Sequence, residues 1–299
     1  MDTDPLQDTV PPRYAIESDE EEDEFNPLSH GKVVREPLTI NIKGVGPFEG
    51  VGNDLIIAFG DAGRSWAQGA SLEQQRGGVF VNEIQVGLVF TPSWTKSIII
   101  ISELTTALPI WAMNPYAQSV LDFFKPARLA LLDTYPVPVY ITPQPLLFHE
   151  APVRYLSTVG GKPPASNYHP FSPPNLIQST SAAFLSIIYV SLASLATPSA
   201  VEPPIKATLL LLPSPHIPQA RSSELSRSSA GSVSLEEYAN DGLDGWSRDM
   251  MQGVDACLLG VEGTKVGRAW KAEGKGSASA IANGGRGRRG DVGDGGMYI

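Results

Sequence analysis

Four carboxylates border the ends of apolar runs in this sequence: Asp54, Asp61, Glu103 and Asp133. The carboxyl ends of strands are where α/β enzymes place acids and bases. The same places also carry ordinary solvated loop carboxylates, and that plainer reading is favoured here. Gly60, Gly63 and Gly69 follow an apolar run and surround Arg64 and Trp66, which invites a phosphate cradle. The stretch lacks a Gly-Lys-Ser/Thr ending and a Gly-x-Gly-x-x-Gly spacing, so a turn after a strand is the expectation. The histidines, His30, His149, His169 and His216, all fall in segments read as loop or tail. None has a partner at the i, i+4 spacing of a helical zinc site, and one cysteine cannot build a thiolate cluster. His149-Glu150 has the order of a base and its orienting carboxylate, an adjacency that loops produce by accident. No Gly-x-Ser-x-Gly elbow occurs. Cys257 sits on an apolar helical stripe and reads as a small core hydrophobe. No metal, cofactor or catalytic residue is expected.

The termini carry a different kind of signal. The chain ends in Met297-Tyr298-Ile299, a hydrophobic residue, a tyrosine and a third residue bearing the carboxylate. Ahead of it, Gly274 to Gly296 is glycine-rich and sprinkled with arginine and aspartate. Such a composition makes a flexible tether, and its 23 residues reach about 25–30 Å on average. An aromatic ring and a carboxylate on a loose tether suit a pocket on another molecule. The bland alternative is a frayed end, since chance puts this pattern at a terminus about once in a hundred chains. At the other end, Glu17-Ser18-Asp19-Glu20-Glu21-Glu22-Asp23-Glu24 repels itself and has nothing to bury. A solvated arm is the first reading; the second makes Ser18, followed at once by acids, a phosphorylation site.

Composition sets the outer bounds. A chain of 299 residues with 42% hydrophobic content buries a sizeable core in one or two domains, while 29 glycines and 26 prolines cluster outside the apolar runs. A net charge of −10 opposes nonspecific binding to nucleic acid or membrane surfaces. The Gly284–Gly290 segment resembles an RNA-binding arginine–glycine tract, but Asp291, Asp294 and the acidic total make it a spacer. One cysteine fits a reducing compartment, and no basic-then-apolar leader is present. Cytoplasm, with the nucleus as a second location, is the expectation. The apolar stretch Ala182–Ala196 falls short of the ~20 residues that span a bilayer, so a buried helix is expected.

The elements that must position these residues follow from periodicity. Leu38–Ile42 alternates as a half-buried strand, and Leu55–Phe59 is a continuous apolar run that reads as a central strand. Val86–Phe90, Ser97–Ser102, Arg128–Leu132, Val153–Thr158 and Lys206–Leu212 read as further strands, with Val137–Ile141 a candidate edge strand containing Pro138. Asn114 and Pro115 read as N-cap and first residue of a helix running to Phe124. A second helix is expected over Ser179–Ala196, and one or two more over Leu235–Leu259, where Trp246, Met250, Val254 and Leu258 form a stripe. Residues 160–175 and 213–232 read as loop insertions. Alternating strands and helices give an α/β fold with a mostly parallel sheet between helical layers. The division expected is an acidic arm over 1–35, one α/β domain over 36–260 and a glycine-rich tail over 261–299.

Several of these stretches together resemble one family. They are the acidic ESDEEEDEF arm, DLIIAFGDAGRSWAQGASL, NPYAQSVLDFF followed by RLALLD, and STSAAFLSIIYVSLASL. The combination, from Tyr14 to Leu259, is similar to the fungal form of the proteasome assembly chaperone 1 family. The resemblance implies a three-layer α/β/α sandwich like that of nucleoside phosphorylases, without enzymatic activity. It implies a heterodimer with a second, related chaperone on the outer face of the proteasome α-ring. It further implies that Met297, Tyr298 and Ile299 enter a pocket between neighbouring α subunits. The glycine-rich stretch from Gly260 to Gly296 departs from the family's folded end. Two other readings compete: an enzyme of phosphorylase-like fold binding nucleoside and phosphate near Gly60–Gly69, and an acidic scaffold whose arm meets basic partners.

Overall fold

The computed structural model describes residues 38–44, 54–144, 146–158, 165–194, 205–218, 220–221, 223–225, 246–260 and 270–271. Four apolar runs form its centre: β2 (Asp54–Phe59), β5 (Ile98–Ser102), β6 (Arg128–Pro136) and β9 (Lys206–Ser214). They lie side by side in the order β5-β2-β6-β9, all parallel. Strands of this kind are covered on both faces, which is why they read as unbroken apolar runs rather than alternating ones. From Leu55 to Phe59 every residue of β2 is buried, and all five of β5 are.

Antiparallel strands extend both edges. β4 (Ile84–Phe90) pairs with β5, β3 (Gly77–Val81) with β4, and β1 (Ile40–Lys43) with β3. On the far side β7 (Arg154–Ser157) runs antiparallel to β9, and the two-residue β8 (His169–Pro170) runs parallel to β7. Among the described residues the sheet therefore has nine strands.

Helices cover the two faces. Leu55, Ile57 and Phe59 share a core with Tyr116 of α2 (Ile110–Phe124) and Phe184 of α3 (Thr180–Ser194). Ile56 and Ala58 share the other with Trp66 of α1 (Gly60–Ala70) and Val254 of α4 (Arg248–Leu258). The period-2 alternation of β2 thus splits its side chains between two cores, giving an α/β/α sandwich with a sheet that is parallel at its centre.

The structure corrects several local expectations. The glycine-bearing stretch after β2 is not a turn: α1 begins at Gly60 directly after the strand. Its glycines answer to packing, since a Cβ on Gly63 would lie 2.7 Å from the Ala58 carbonyl oxygen. α2 starts at Ile110 with Pro109 as its N-cap, so Asn114 is no cap and Pro115 lies inside the helix. The apolar stripe Ala112, Met113, Tyr116, Ala117, Val120, Leu121 runs straight through that point. Burying it outweighs the one backbone hydrogen bond that an exposed Pro115 forgoes. Val137–Ile141 is not a strand; β6 extends to Pro136 and the chain turns into a 3-10 segment over Val137–Val139. β3 and β8 escaped the sequence reading.

In the last helix, Ser247 caps the N-terminus by accepting from the Met250 amide at 3.2 Å. Val254 and Leu258 are buried as the stripe requires, and Trp246 and Met250 pack at its margin. Within the stretch expected as tail, Trp270 is buried against α1 and donates from Nε1 to the Trp66 carbonyl at 3.0 Å. The acidic arm with Ser18, His30, residues 219, 222 and 226–232 of the 213–232 insertion, and Met297, Tyr298 and Ile299 lie outside the described residues.

Candidate functional site: a crevice at the strand ends

α1 follows β2 onto one face of the sheet, whereas α2 follows the neighbouring β5 onto the other. Connections that diverge from adjacent parallel strands open a crevice at their carboxyl ends, where α/β folds bind ligands. Here the crevice is a cavity of about 160 Å³, lined by Phe59, Gly60, Asp61, Glu103, Asp133, Thr134, Ser179, Thr180 and Arg221.

Its chemistry is held by two buried carboxylates. Asp133, near the end of β6, accepts from Ser179 Oγ at 2.7 Å, Ser181 Oγ at 2.6 Å and the Thr134 amide at 2.7 Å. Burial pushes its carboxyl above the ordinary range, against the pull of the Ser181 and Ser179 hydroxyls. Glu103, just past β5, has φ of 56°, a left-handed conformation that few side-chain-bearing residues adopt. The turn aims its carboxylate inward, where Oε1 accepts from Thr180 Oγ1 and Oε2 pairs with Arg221 Nη1 at 2.9 Å. Burial again raises this carboxyl, and the Arg221 guanidinium pulls it back down. Behind them Ser102 Oγ and the Tyr116 hydroxyl share a hydrogen bond of 2.9 Å, and burial raises the tyrosine.

So three of the four strand-end carboxylates of the sequence reading, Asp61, Glu103 and Asp133, do converge. Asp54 is elsewhere: it opens β2 at the opposite end of the sheet and pairs with Arg128 at 2.9 Å. Arg128 also donates to the Leu258 and Leu259 carbonyls, which ties β6 to the end of α4. His149 is exposed beside Glu150, 3.8 Å away, and His169 and His216 are exposed as well. Cys257 is half-buried at the margin of the α1/α4 core. Among the described residues no His, Cys, Asp and Glu cluster is able to hold a metal ion.

The arrangement is poorly suited to the chemistry that its position suggests. The oxygens of Asp133 and Glu103 already accept from the chain's own donors, and among the described residues no histidine lines the crevice beside the serine hydroxyls to activate them. A phosphate would meet three carboxylates and one arginine. Arg221, Ser179, Thr180 and Ser181 are functional neighbours that the sequence reading missed. The hydroxyl run Ser179-Thr180-Ser181 is visible there only as a helix start.

A second surface feature lies on the helical layer over the α2/α3 core. α3 buries Phe184 and Ile188 and leaves Tyr189 and Val190 each 65% exposed, beside the exposed Ser186 and Ser191. Ile110 at the start of the adjacent α2 is also exposed.

No protein-family model matches the sequence, and no curated protein matches it. Among solved structures, the chain is similar to Pyrococcus furiosus PbaB, described as an archaeal proteasome activator. That match has 12% identity and a TM-score of 0.44, over 76% of this chain and 91% of that one. It is also similar to the monoclinic form of Pyrococcus furiosus PbaA, described as an archaeal homolog of proteasome-assembly chaperone. There the identity is 13% and the TM-score 0.42, over 77% of this chain and 84% of that one. A Thermoplasma acidophilum protein of unknown function matches at 9% identity and a TM-score of 0.37, over 56% of this chain and 69% of that one. With TM-scores below one half, these likenesses carry no argument about what this chain does.

Proposed function

We propose that this protein is a non-catalytic factor of proteasome assembly that works by binding. In this reading it pairs with a second, related chaperone, rests on the α-ring of the core particle and docks Met297, Tyr298 and Ile299 in a pocket between α subunits. The observation that carries the binding half is α3: an outer-layer helix, rich in apolar residues, that shows Tyr189 and Val190 to solvent. Surface helices of monomers ordinarily keep a polar outer face, and large apolar side chains held together on an outer face point to a protein interface. The non-catalytic half is supported by the crevice, whose carboxylates are spent on hydroxyls and an arginine of the same chain. The proteasome half rests on the family resemblance of the stretches that form β2, α1, α2, β6 and α3.

The test is co-purification of the tagged chain, with identification of the bound subunits. α subunits and a related chaperone are expected, and deletion of Met297–Ile299 or Tyr298→Ala weakens capture of the α-ring while the melting temperature holds. A tethered second contact contributes ~10²–10⁴ in affinity when its linker spans the sites, so the loss is large enough to see. Equal capture by intact and truncated chains refutes the tail's role. Stabilisation by millimolar phosphate or nucleoside points instead to the phosphorylase-like enzyme.

A further inference from the structure

The five lysines among the described residues are not spread evenly over the surface. Lys43 pairs with Glu83 at 3.0 Å, and the other four stand at one end of the sandwich. Lys96 lies two residues ahead of β5, Lys206 opens β9, and Lys125 caps the C-terminus of α2 just before β6. Lys271 follows Trp270 onto the last turn of α1, where its amide donates to the Gly69 carbonyl at 3.2 Å. The four central strands all begin at this end, opposite the crevice. All four lysines are exposed, and none has an ion-pair partner among the described residues.

The carboxylates at the same end are already engaged. Asp54 pairs with Arg128 at 2.9 Å, Glu73 accepts from Ser93 Oγ at 2.6 Å, and Asp122 accepts from Gln118 Nε2 at 2.9 Å. Arg76, exposed just ahead of β3, adds to the charge of the lysines. A chain whose net charge is −10 thus turns a positive end to solvent, and that asymmetry selects an anionic occupant. The same chain contains one, since Glu17–Glu24 puts seven carboxylates in eight residues.

We infer that the acidic run Glu17–Glu24 docks on this lysine end of its own chain, its carboxylates pairing with Lys96, Lys125, Lys206 and Lys271. The reach fits. Thirteen residues separate Glu24 from Leu38, where the described body begins. They span about 18–22 Å as a coil and at most about 43–47 Å when extended. β1 lies three strands from β5 and six from β9, which is about 14–29 Å across the sheet at ~4.8 Å per strand. Ile40 opposes Val81 at the far end of β3, which adds a strand length of ~15 Å and makes the path about 20–33 Å. Single exposed ion pairs are weak, but a tether of matching length holds seven carboxylates beside four lysines and lets them act together. Docked there, the arm covers the point from which the chain runs on toward Met297–Ile299, and any acidic partner of this end must displace it.

Zero-length carbodiimide coupling of the full-length protein, at micromolar concentration and low salt, tests the contact. Peptide mapping of the coupled monomer is expected to link Glu17–Glu24 to Lys96, Lys125, Lys206 or Lys271 and not to Lys43. Sodium chloride at about 0.5 M, where the Debye length falls to roughly 4 Å, removes most of these links. In a second readout, Glu20→Gln, Glu21→Gln, Glu22→Gln and Asp23→Asn are combined in one variant. Acetylation of the four lysines is expected to run roughly 3–10-fold faster in it than in the wild type, with Lys43 as the unchanged control. Absence of arm–lysine links, equal linkage to Lys43, or unchanged acetylation in the variant overturns the docking. Links found only in a coupled dimer assign the lysine end to the arm of a second copy and overturn a contact within one chain. Links undiminished by salt overturn its electrostatic basis.

Discussion

Gly69→Ala reverses the usual sign of a helical glycine substitution. Gly69 lies near the end of α1, where alanine ordinarily gains up to about 1 kcal/mol over glycine. Here a Cβ would sit 2.2 Å from Trp270 Cε2 and 2.4 Å from Nε1, and carbon contacts are comfortable only near ~3.5–4.0 Å. The indole cannot stay. Trp270 is 6% exposed, and expelling it gives up most of the ~150–250 Å² that a tryptophan buries, about 4–6 kcal/mol at ~25 cal/mol per Å². It also loses its hydrogen bond to the Trp66 carbonyl, and the Lys271 amide loses Gly69 oxygen at 3.2 Å. Freed backbone returns roughly 1–2 kcal/mol per residue, and the helix gains its alanine. The net is a loss of roughly 1–3 kcal/mol, or a fall of about 2–12 °C in melting temperature. Thermal melts followed by circular dichroism and by tryptophan emission measure it, with a red shift marking the freed indole. Because both changes strike one contact, Gly69→Ala adds no further loss to Trp270→Ala. A Gly69→Ala protein that melts at or above wild type, with unshifted emission, refutes the packing of Trp270 on α1.

Two further predictions address the crevice and the apolar helix. Burial raises the Asp133 carboxyl, so the folded state holds that proton more tightly than the unfolded chain. Its contribution is then fully present below the ordinary range near ~4 and is lost as pH rises through the folded value. Asp133→Asn cannot ionise, so urea midpoints of variant and wild type shift in the variant's favour between pH 4.5 and 7.5; the opposite trend counts against burial as the dominant cause. In the proposed pairing, Tyr189→Glu, at a site 65% exposed, leaves the melting temperature within about 2 °C of wild type but abolishes capture of a related chaperone. Undiminished capture removes α3 from the interface.

Legibility in the sequence followed burial. β2, β5, β6 and β9 stand out because strands covered on both faces need no polar alternation, and LIIAF, IIII, LALL and LLLL show none. α1 was hidden by the same glycines that let it pack: Gly63 clears the β2 backbone and Gly69 clears Trp270, yet locally both look like turn residues. Gly77-Gly78 concealed β3 in the same way. In α2, tertiary burial overrode a proline whose local preference is the first helical turn. The carboxylates of the crevice were visible as strand-end residues, but their donors were not. Arg221 lies 118 residues from Glu103, and Ser181 lies 48 from Asp133, separations that no periodicity reports.

The crevice and the exposed helix belong to one arrangement. A helix whose outer face carries only small serines among apolar side chains has little polar patterning to fix its rotation, and burial of Phe184 and Ile188 alone would tolerate small turns about its axis. Its first residues supply the missing constraint. Thr180 donates to Glu103 beyond β5, and Ser181, with Ser179 just ahead of the helix, donates to Asp133 on β6. Two strands thus grip one helical end from two directions through directional, charge-assisted hydrogen bonds. The position that α/β folds commonly devote to a substrate here orients α3, and with it Tyr189, on the surface. This accounts for two buried carboxylates that cost stability at neutral pH: their hydrogen bonds fix the orientation of α3.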